Sequence, residues 1–228
     1  MSWEIVQGAR NIVFVGESGC GKTELAINCA LALKEQAKER GEELRVTLLD
    51  MDQSKPSFRS RDARKAVEDG GVELIFGDQL MEAPIIPPGI KKRLSDPEGI
   101  NILDVGGNEI GAVNMGQFEE FFDGDDTIVY FVVSPYRLLS LDGTHIRTMM
   151  EAVGAFSRLK DFRLIGNPNM GEYTDAEAVL EGWEMIQARL GELDISCDII
   201  AVSEWLSDLE LPKSVNHRLL VRRYLQYP

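Results

Sequence analysis

The sequence predicts an α/β fold: a doubly wound, mostly parallel sheet with helices on both faces. Short apolar runs recur along the chain, and each is nearly continuous, as expected of strands that helices cover on both faces. Longer amphipathic stretches separate these runs, and alternating strands and helices are typical of a parallel sheet. A length of 228 residues suits one domain. We therefore expect residues 1–228 to form a single unit.

The individual elements follow from these runs. The predicted strands are 11–15, 45–50, 100–105, 127–133, 162–166 and 198–203. The predicted helices are 22–40, about 60–69, 115–122, 142–159, 174–190 and 214–226. Thr174 stands three residues before Glu177, which predicts a capping box at the start of one helix. The proline-containing region 77–99 is loop-rich, either as a functional lid or as a surface loop around a short helix.

Composition excludes several classes of function. The formal charge of −14 argues against a broad nucleic-acid-binding surface, because phosphate binding needs clustered Lys and Arg. The three cysteines are scattered without a C-x-x-C pair, so neither a disulfide framework nor a zinc or iron–sulfur site is expected. This cysteine usage predicts a reducing cytoplasm as the compartment. No window approaches 18 apolar residues, so no membrane-spanning segment is predicted.

Residues 16–23 fit a phosphate-binding loop, G-x-x-x-x-G-K-[ST], at every fixed position. In such a loop, backbone N–H groups point at phosphate oxygens, the lysine reaches the β- and γ-phosphates, and the hydroxyl ligates Mg²⁺. The following helix presents its positive end to the anion. We therefore assign nucleotide contacts to Gly16, Glu17, Ser18, Gly19, Cys20, Gly21, Lys22, Thr23 and Glu24. The Cys20 side chain is either a small group that fits the loop or a redox-sensitive thiol.

Carboxylates follow two other predicted strands. Asp50 and Asp52 suit binding around Mg²⁺ and positioning of an attacking water, or else form an exposed acidic turn. Asp104 ends the strand 100–105 and would hold Mg²⁺ through water, while Gly107 would offer its N–H to the γ-phosphate. The predicted catalytic residues are Lys22, Asp52 and Asp104, and the predicted metal site consists of Thr23, Asp52 and Asp104.

These three motifs, in this order, resemble the ParA/MinD-type P-loop ATPases of the SIMIBI class, over about residues 11–205. The resemblance implies that Asp52 positions the hydrolytic water, that Asn167 contacts the base, and that ATP and Mg²⁺ are the cofactors. Glu17 stands where that family has its signature lysine, which reaches the partner subunit's nucleotide. The run 167–170, Asn-Pro-Asn-Met, lacks the N-K-x-D guanine motif, which favours ATP over GTP.

The resemblance predicts an ATP-driven switch that controls a protein partner, with a nucleotide-dependent homodimer in question because the lysine is missing. One alternative is an ATP-dependent small-molecule kinase or ligase, and another is an adaptor that binds ATP or ADP without turnover. The basic segment 214–226 is either a last helix packed on the sheet or an amphipathic helix that contacts anionic membranes.

Overall fold

Eight strands form one sheet in the computed structural model, which describes residues 3–52, 63–76, 89–107, 113 and 115–225. The strands are β1 Asn11–Gly16, β2 Arg45–Asp50, β3 Glu73–Phe76, β4 Gly99–Asp104, β5 Thr127–Val133, β6 Arg163–Gly166, β7 Ile199–Ser203 and β8 His217–Val221. The α-helices within the same ranges are α1 Lys22–Glu39, α2 Arg64–Asp69, α3 Ile90–Leu94, α4 Gly143–Ser157 and α5 Ala176–Gly191.

The strand order is β3-β2-β4-β1-β5-β6-β7-β8, and every neighbouring pair is parallel. The chain moves from β1 towards one edge of the sheet and, after β4, crosses to β5 and continues towards the other edge. This reversal brings the carboxyl ends of β1, β4 and β5 together, and ligands of doubly wound sheets bind at such a point. The predicted α/β fold is confirmed.

Alternate side chains of β1 enter two separate cores, which explains why the strand is apolar at consecutive positions. Ile12 and Phe14 pack with residues of α1, whereas Val13 and Val15 pack with residues of α4 and α5. Side chains alternate between the two faces of a strand, so a strand with helices on both sides must be apolar throughout.

The predicted helix 214–226 is wrong, because His217–Val221 form the edge strand β8. Leu219 and Val221 are buried, whereas Arg218 and Leu220 are half-buried. This alternation with a period of two residues is typical of a strand with one covered face. The amphipathic helix that would have contacted a membrane is therefore not formed by these residues. In the part of the chain that the structure describes, no helix is long and apolar enough to span a bilayer.

Smaller differences concern short elements. The strand β3 was not predicted, since it has four residues and its side chains are only half-buried. The predicted helix 115–122 contains a 3₁₀ turn at Glu119–Phe121, because so short a segment gains little from helical propagation. Of the predicted helix 60–69, residues 60–62 lie outside the described residues. So do residues 77–88 of the predicted insertion, whose remainder holds α3 and the start of β4.

The helix α5 begins one residue later than the predicted capping box requires. Asp175 is the N-cap, and its carboxylate accepts a hydrogen bond from Ala178 N at 2.8 Å. Carboxylates are among the best N-cap groups because they satisfy an exposed backbone donor. The Thr174 hydroxyl instead accepts from Met170 N at 2.8 Å, which fixes the turn that precedes the helix.

The C-terminal segment after β8 is held by two side chains of α1. The Asn28 amide accepts from Arg222 N and donates to Arg222 O, both at 2.8 Å. The Glu24 carboxylate accepts from the backbone N–H groups of Tyr224 and Leu225. The helix that follows the predicted phosphate loop thus also anchors the end of the described chain.

Replacing Asn28 with Ala is expected to lower the free energy of unfolding by about 1–3 kcal/mol, because both backbone groups of Arg222 lose their partner. Urea unfolding measures this change. Asn216→Ala is the matched control, since its amide makes an exposed hydrogen bond to Asp198 and its removal should cost about 0.5 kcal/mol or less. Equal losses in the two variants would contradict an anchoring role for Asn28.

Candidate functional site

The loop between β1 and α1 has the backbone that the phosphate-loop pattern predicts. Gly21 precedes α1 with φ of 100°, in the left-handed region that residues with a side chain rarely adopt. A Cβ atom at Gly21 would lie 2.2 Å from Asn167 Nδ2, so a side chain here would collide with Asn167. No side chain caps the first turn of α1, so its N–H groups are directed at the loop for an anion to accept from.

Lys22 lies inside the loop and is buried. Its ammonium donates a hydrogen bond to the backbone carbonyl of Glu17 at 2.9 Å, across the loop. This buried ammonium is well suited to bind a phosphate oxygen, because the carbonyl that accepts from it is neutral and a phosphate oxygen carries the opposite charge.

Thr23 and Asp104 meet at the carboxyl ends of the strands. The Thr23 hydroxyl donates to Asp104 Oδ2 at 2.6 Å, and Asp104 is fully buried. The pKa of the Asp104 carboxyl is raised to about 8, chiefly by burial and also by the nearby Asp50 carboxyl, while Lys22 and the Thr23 hydrogen bond oppose the rise. The other oxygen, Asp104 Oδ1, is buried without a hydrogen-bond partner among the described residues.

This pair of oxygen ligands fits Mg²⁺, which is usually bound by one or two protein groups together with water and substrate phosphates. The partnerless oxygen of Asp104 is the observation that supports the fit, because an uncompensated buried carboxylate oxygen is costly. Within the described ranges, no three His, Cys, Asp or Glu side chains form an all-protein metal site. A cation at Thr23 and Asp104 would therefore depend on a phosphate ligand.

Asp52 and Gly107 also lie beside the loop. Asp52 is buried, and its N–H donates to Asp50 Oδ1 at 3.1 Å. A Cβ atom at Gly106 would lie 3.1 Å from Asp52 Oδ1, and one at Gly107 would lie 2.5 Å from Ser18 N. The backbone after β4 therefore touches the loop at Ser18, and only glycine permits this approach. The Ser18 hydroxyl oxygen is buried without a partner in the described part of the chain.

The segment after β5 braces the loop from the other side. The Ser140 hydroxyl donates to Glu17 Oε2 at 3.1 Å, which gives the unexpected Glu17 carboxylate a buried partner. Arg137 Nε donates to Gly19 O at 2.8 Å, and Arg189 donates to Ser140 O at 2.6 Å. The sequence contains no signal for the two contacts with the loop, because each joins a loop residue to a residue more than 100 positions away.

The Cys20 thiol is buried, and burial raises its pKa. A buried, protonated thiol reacts poorly, so the structure favours the interpretation of Cys20 as a small side chain that fits the loop. Its carbonyl accepts a hydrogen bond from Asn167 Nδ2 at 2.7 Å. Asn167, predicted from the resemblance alone, thus lies at the end of β6 and fastens the loop.

A cleft of about 350 Å³ opens beside the loop, beyond the carboxyl ends of β6, β7 and β8. Four predicted site residues line it: Gly19, Gly21, Glu24 and Asn167. Among the other lining residues, which sequence reasoning did not assign to the site, are Tyr136, Arg137, Asn169, Ser203, Trp205 and Arg223. The first five end or follow predicted strands, so the rule that ligands bind at strand carboxyl ends was the available signal. Arg223 had no signal, because its strand was predicted to be a helix.

No family model and no curated protein matches this chain. Solved structures that resemble it include the cell division protein FtsY from Thermotoga maritima, with 17% identity, a TM-score of 0.51, and coverage of 90% of this chain and 66% of that chain. Another is the signal recognition particle receptor FtsY from Elizabethkingia anophelis in complex with GDP, with 19% identity, a TM-score of 0.47, and coverage of 90% and 61%.

A third is the signal recognition particle 54 kDa protein from Aeropyrum pernix in complex with GDP, with 16% identity, a TM-score of 0.38, and coverage of 86% and 35%. The chain spans less than two thirds of the length of these structures. The likeness to the Thermotoga maritima structure and the parallel sheet with its glycine-rich loop agree on one architecture: the chain has an α/β P-loop NTPase fold.

Proposed function

We propose that this chain binds ATP with Mg²⁺ and hydrolyses it, and that the bound nucleotide controls its affinity for a protein partner. One observation carries the proposal: Lys22, Thr23 and Asp104 converge on a glycine-rich loop, and one buried oxygen of Asp104 has no hydrogen-bond partner among the described residues. A loop that merely connected a strand to a helix would not need a buried ammonium and a buried carboxylate side by side.

Each residue has a distinct task in this proposal. Lys22 exchanges the Glu17 carbonyl for a phosphate oxygen and stabilises charge that develops during transfer. The loop N–H groups would hold the β-phosphate, and the Gly107 N–H would donate to the γ-phosphate. Asp52 orients the attacking water. Thr23 and Asp104 would hold Mg²⁺, which neutralises charge on the phosphates when bound.

The base of the nucleotide is proposed to occupy the cleft beside the loop. Met170 lines this cleft and is 41% exposed, and it stands where the guanine motif of related loops requires an aspartate. Without that carboxylate, nothing at this position accepts from the N–H groups of guanine, so we propose ATP rather than GTP. Direct titration with both nucleotides tests the choice.

The experiment compares the unsubstituted chain with Asp52→Ala. We expect Asp52→Ala to lower phosphate release from ATP about 10²-fold or more while ATP affinity changes less than threefold, because the residue acts on water rather than on nucleotide. Glu98→Ala, an exposed acidic residue before β4, is the control and should be unchanged. Equal losses of affinity and turnover would contradict the assignment to Asp52.

The same samples decide the wider function. Light scattering with Mg-ADP and with Mg-ATP, using Asp52→Ala to preserve ATP, shows whether a second copy is the partner. Dimers that form only with ATP would support a switch in which another residue replaces the missing lysine. Phosphate loss that appears only after a small acceptor is added would indicate a kinase, and tight binding without turnover would indicate an adaptor.

A further inference from the structure

Trp205 forms part of the wall of the cleft and is unusually accessible for its size. It is 49% exposed, whereas Trp3 and Trp183, the other two tryptophans, are 1% exposed. Its indole N–H donates to Thr174 O at 3.1 Å, which fixes the orientation of the ring. Tyr173 lies on the same cleft and is 76% exposed. A fixed, open aromatic surface in a cleft is typical of a ligand contact.

Polar side chains in the cleft are largely engaged with the protein itself. Asn167 Nδ2 donates to Cys20 O, and Asn169 Nδ2 donates to Ser203 Oγ at 2.8 Å. Asn169 Oδ1 accepts from Gly171 N at 2.7 Å, and Glu24 holds the C-terminal segment. A base that enters the cleft therefore meets the face of an aromatic ring more readily than an uncommitted amide or carboxylate.

We propose that Trp205 is the platform on which the nucleotide base stacks, which makes it the main determinant of base affinity in this chain. The proposal rests on the proposed function, since it concerns the nucleotide that the loop would hold. Stacking of a base on an aromatic side chain contributes a free energy that corresponds to a change in affinity of about tenfold to a hundredfold. It requires only a π face, which the engaged polar groups do not supply.

Two ligands separate base binding from phosphate binding: Mg-ATP, and Mg-tripolyphosphate, which has no base. We expect Trp205→Ala to weaken Mg-ATP about tenfold to a hundredfold in calorimetric titrations and to leave Mg-tripolyphosphate within twofold. Trp205→Phe loses the hydrogen bond to Thr174 but keeps a ring, so it should recover most of the affinity for ATP. Phe156→Ala is the matched control, because Phe156 is a 44% exposed aromatic residue on α4 outside the cleft.

Quenching of tryptophan fluorescence by acrylamide tests the same contact in the unsubstituted chain. In the unsubstituted chain, Mg-ATP should protect the accessible tryptophan fluorescence from acrylamide quenching, and Mg-tripolyphosphate should not. The protection should vanish in Trp205→Phe, because the remaining tryptophans are already buried. ATP binding without protection, or an equal loss of both ligands in Trp205→Ala, would overturn the role of Trp205 while leaving the proposed function intact. Failure of both ligands to bind the unsubstituted chain would overturn the proposed function and this inference with it.

Discussion

Replacing Lys22 with Ala is expected to abolish nucleotide turnover, with kcat/KM for ATP lowered about 10³-fold or more. The ammonium is buried and donates to the loop carbonyl of Glu17, and alanine has no group that could contact a phosphate oxygen in its place. The loss should appear in both affinity and turnover, because the lysine contacts phosphate before and during transfer. Steady-state phosphate release and calorimetric titration measure the two parts.

The control for this experiment is Lys38→Ala. Lys38 lies on the same helix but is exposed near its C-terminal end, so its removal changes the net charge by the same amount without touching the loop. Turnover in Lys38→Ala should stay within twofold of the unsubstituted chain. If Lys22→Ala retained a tenth or more of the turnover while remaining folded, the loop would not be the site of phosphate binding.

The parts of the site that the sequence predicted are those in which local geometry dictates residue type. Gly21 must be glycine because its φ is positive and Asn167 occupies the space of a side chain, and Gly107 must be glycine because it touches the loop backbone. Asp104 was predictable because a carboxylate at the end of a buried strand has few purposes other than chemistry. Such requirements appear in the sequence as fixed spacings between residues. These spacings are why the phosphate loop, Asp104 and Gly107 could be predicted.

The parts that escaped prediction depend on contacts between distant segments. Glu17 stands where the resembled family has a lysine and no local pattern gives its carboxylate a partner, yet it accepts from Ser140, 123 residues away. The arginines and leucines of 214–226 predict a helix, but over so short a run they fit a strand equally well, and pairing of His217–Val221 with β7 decides for the strand. That error concealed Arg223 and one side of the cleft. Tertiary hydrogen bonds decided each of these cases, and no local pattern encodes them.

Asp104→Asn is expected to change stability and activity in opposite directions, and this is the sharpest test of the site. The Asp104 carboxyl has a pKa raised to about 8 by burial and by Asp50. Between about pH 4 and pH 8, and without a cation, this carboxyl is therefore protonated in the folded chain and ionised in the unfolded chain. The free energy of unfolding of the original chain therefore falls as the pH rises from about 4 towards 8. Asparagine removes this dependence, because it has almost the same shape and no charge.

Without Mg²⁺, Asp104→Asn should therefore be more stable than the original chain by about 1–3 kcal/mol at pH 8, and the gain should vanish near pH 4. With Mg-ATP the variant should be the poorer enzyme, because the neutral amide is a poor cation ligand. Its turnover should fall about tenfold to a hundredfold or more. Urea unfolding at several pH values and phosphate release measure the two effects. Asp125→Asn, at an exposed position, controls for the change in net charge and should alter neither. A variant that lost stability and activity together would show that Asp104 supports the fold instead of holding a charge ready for a cation.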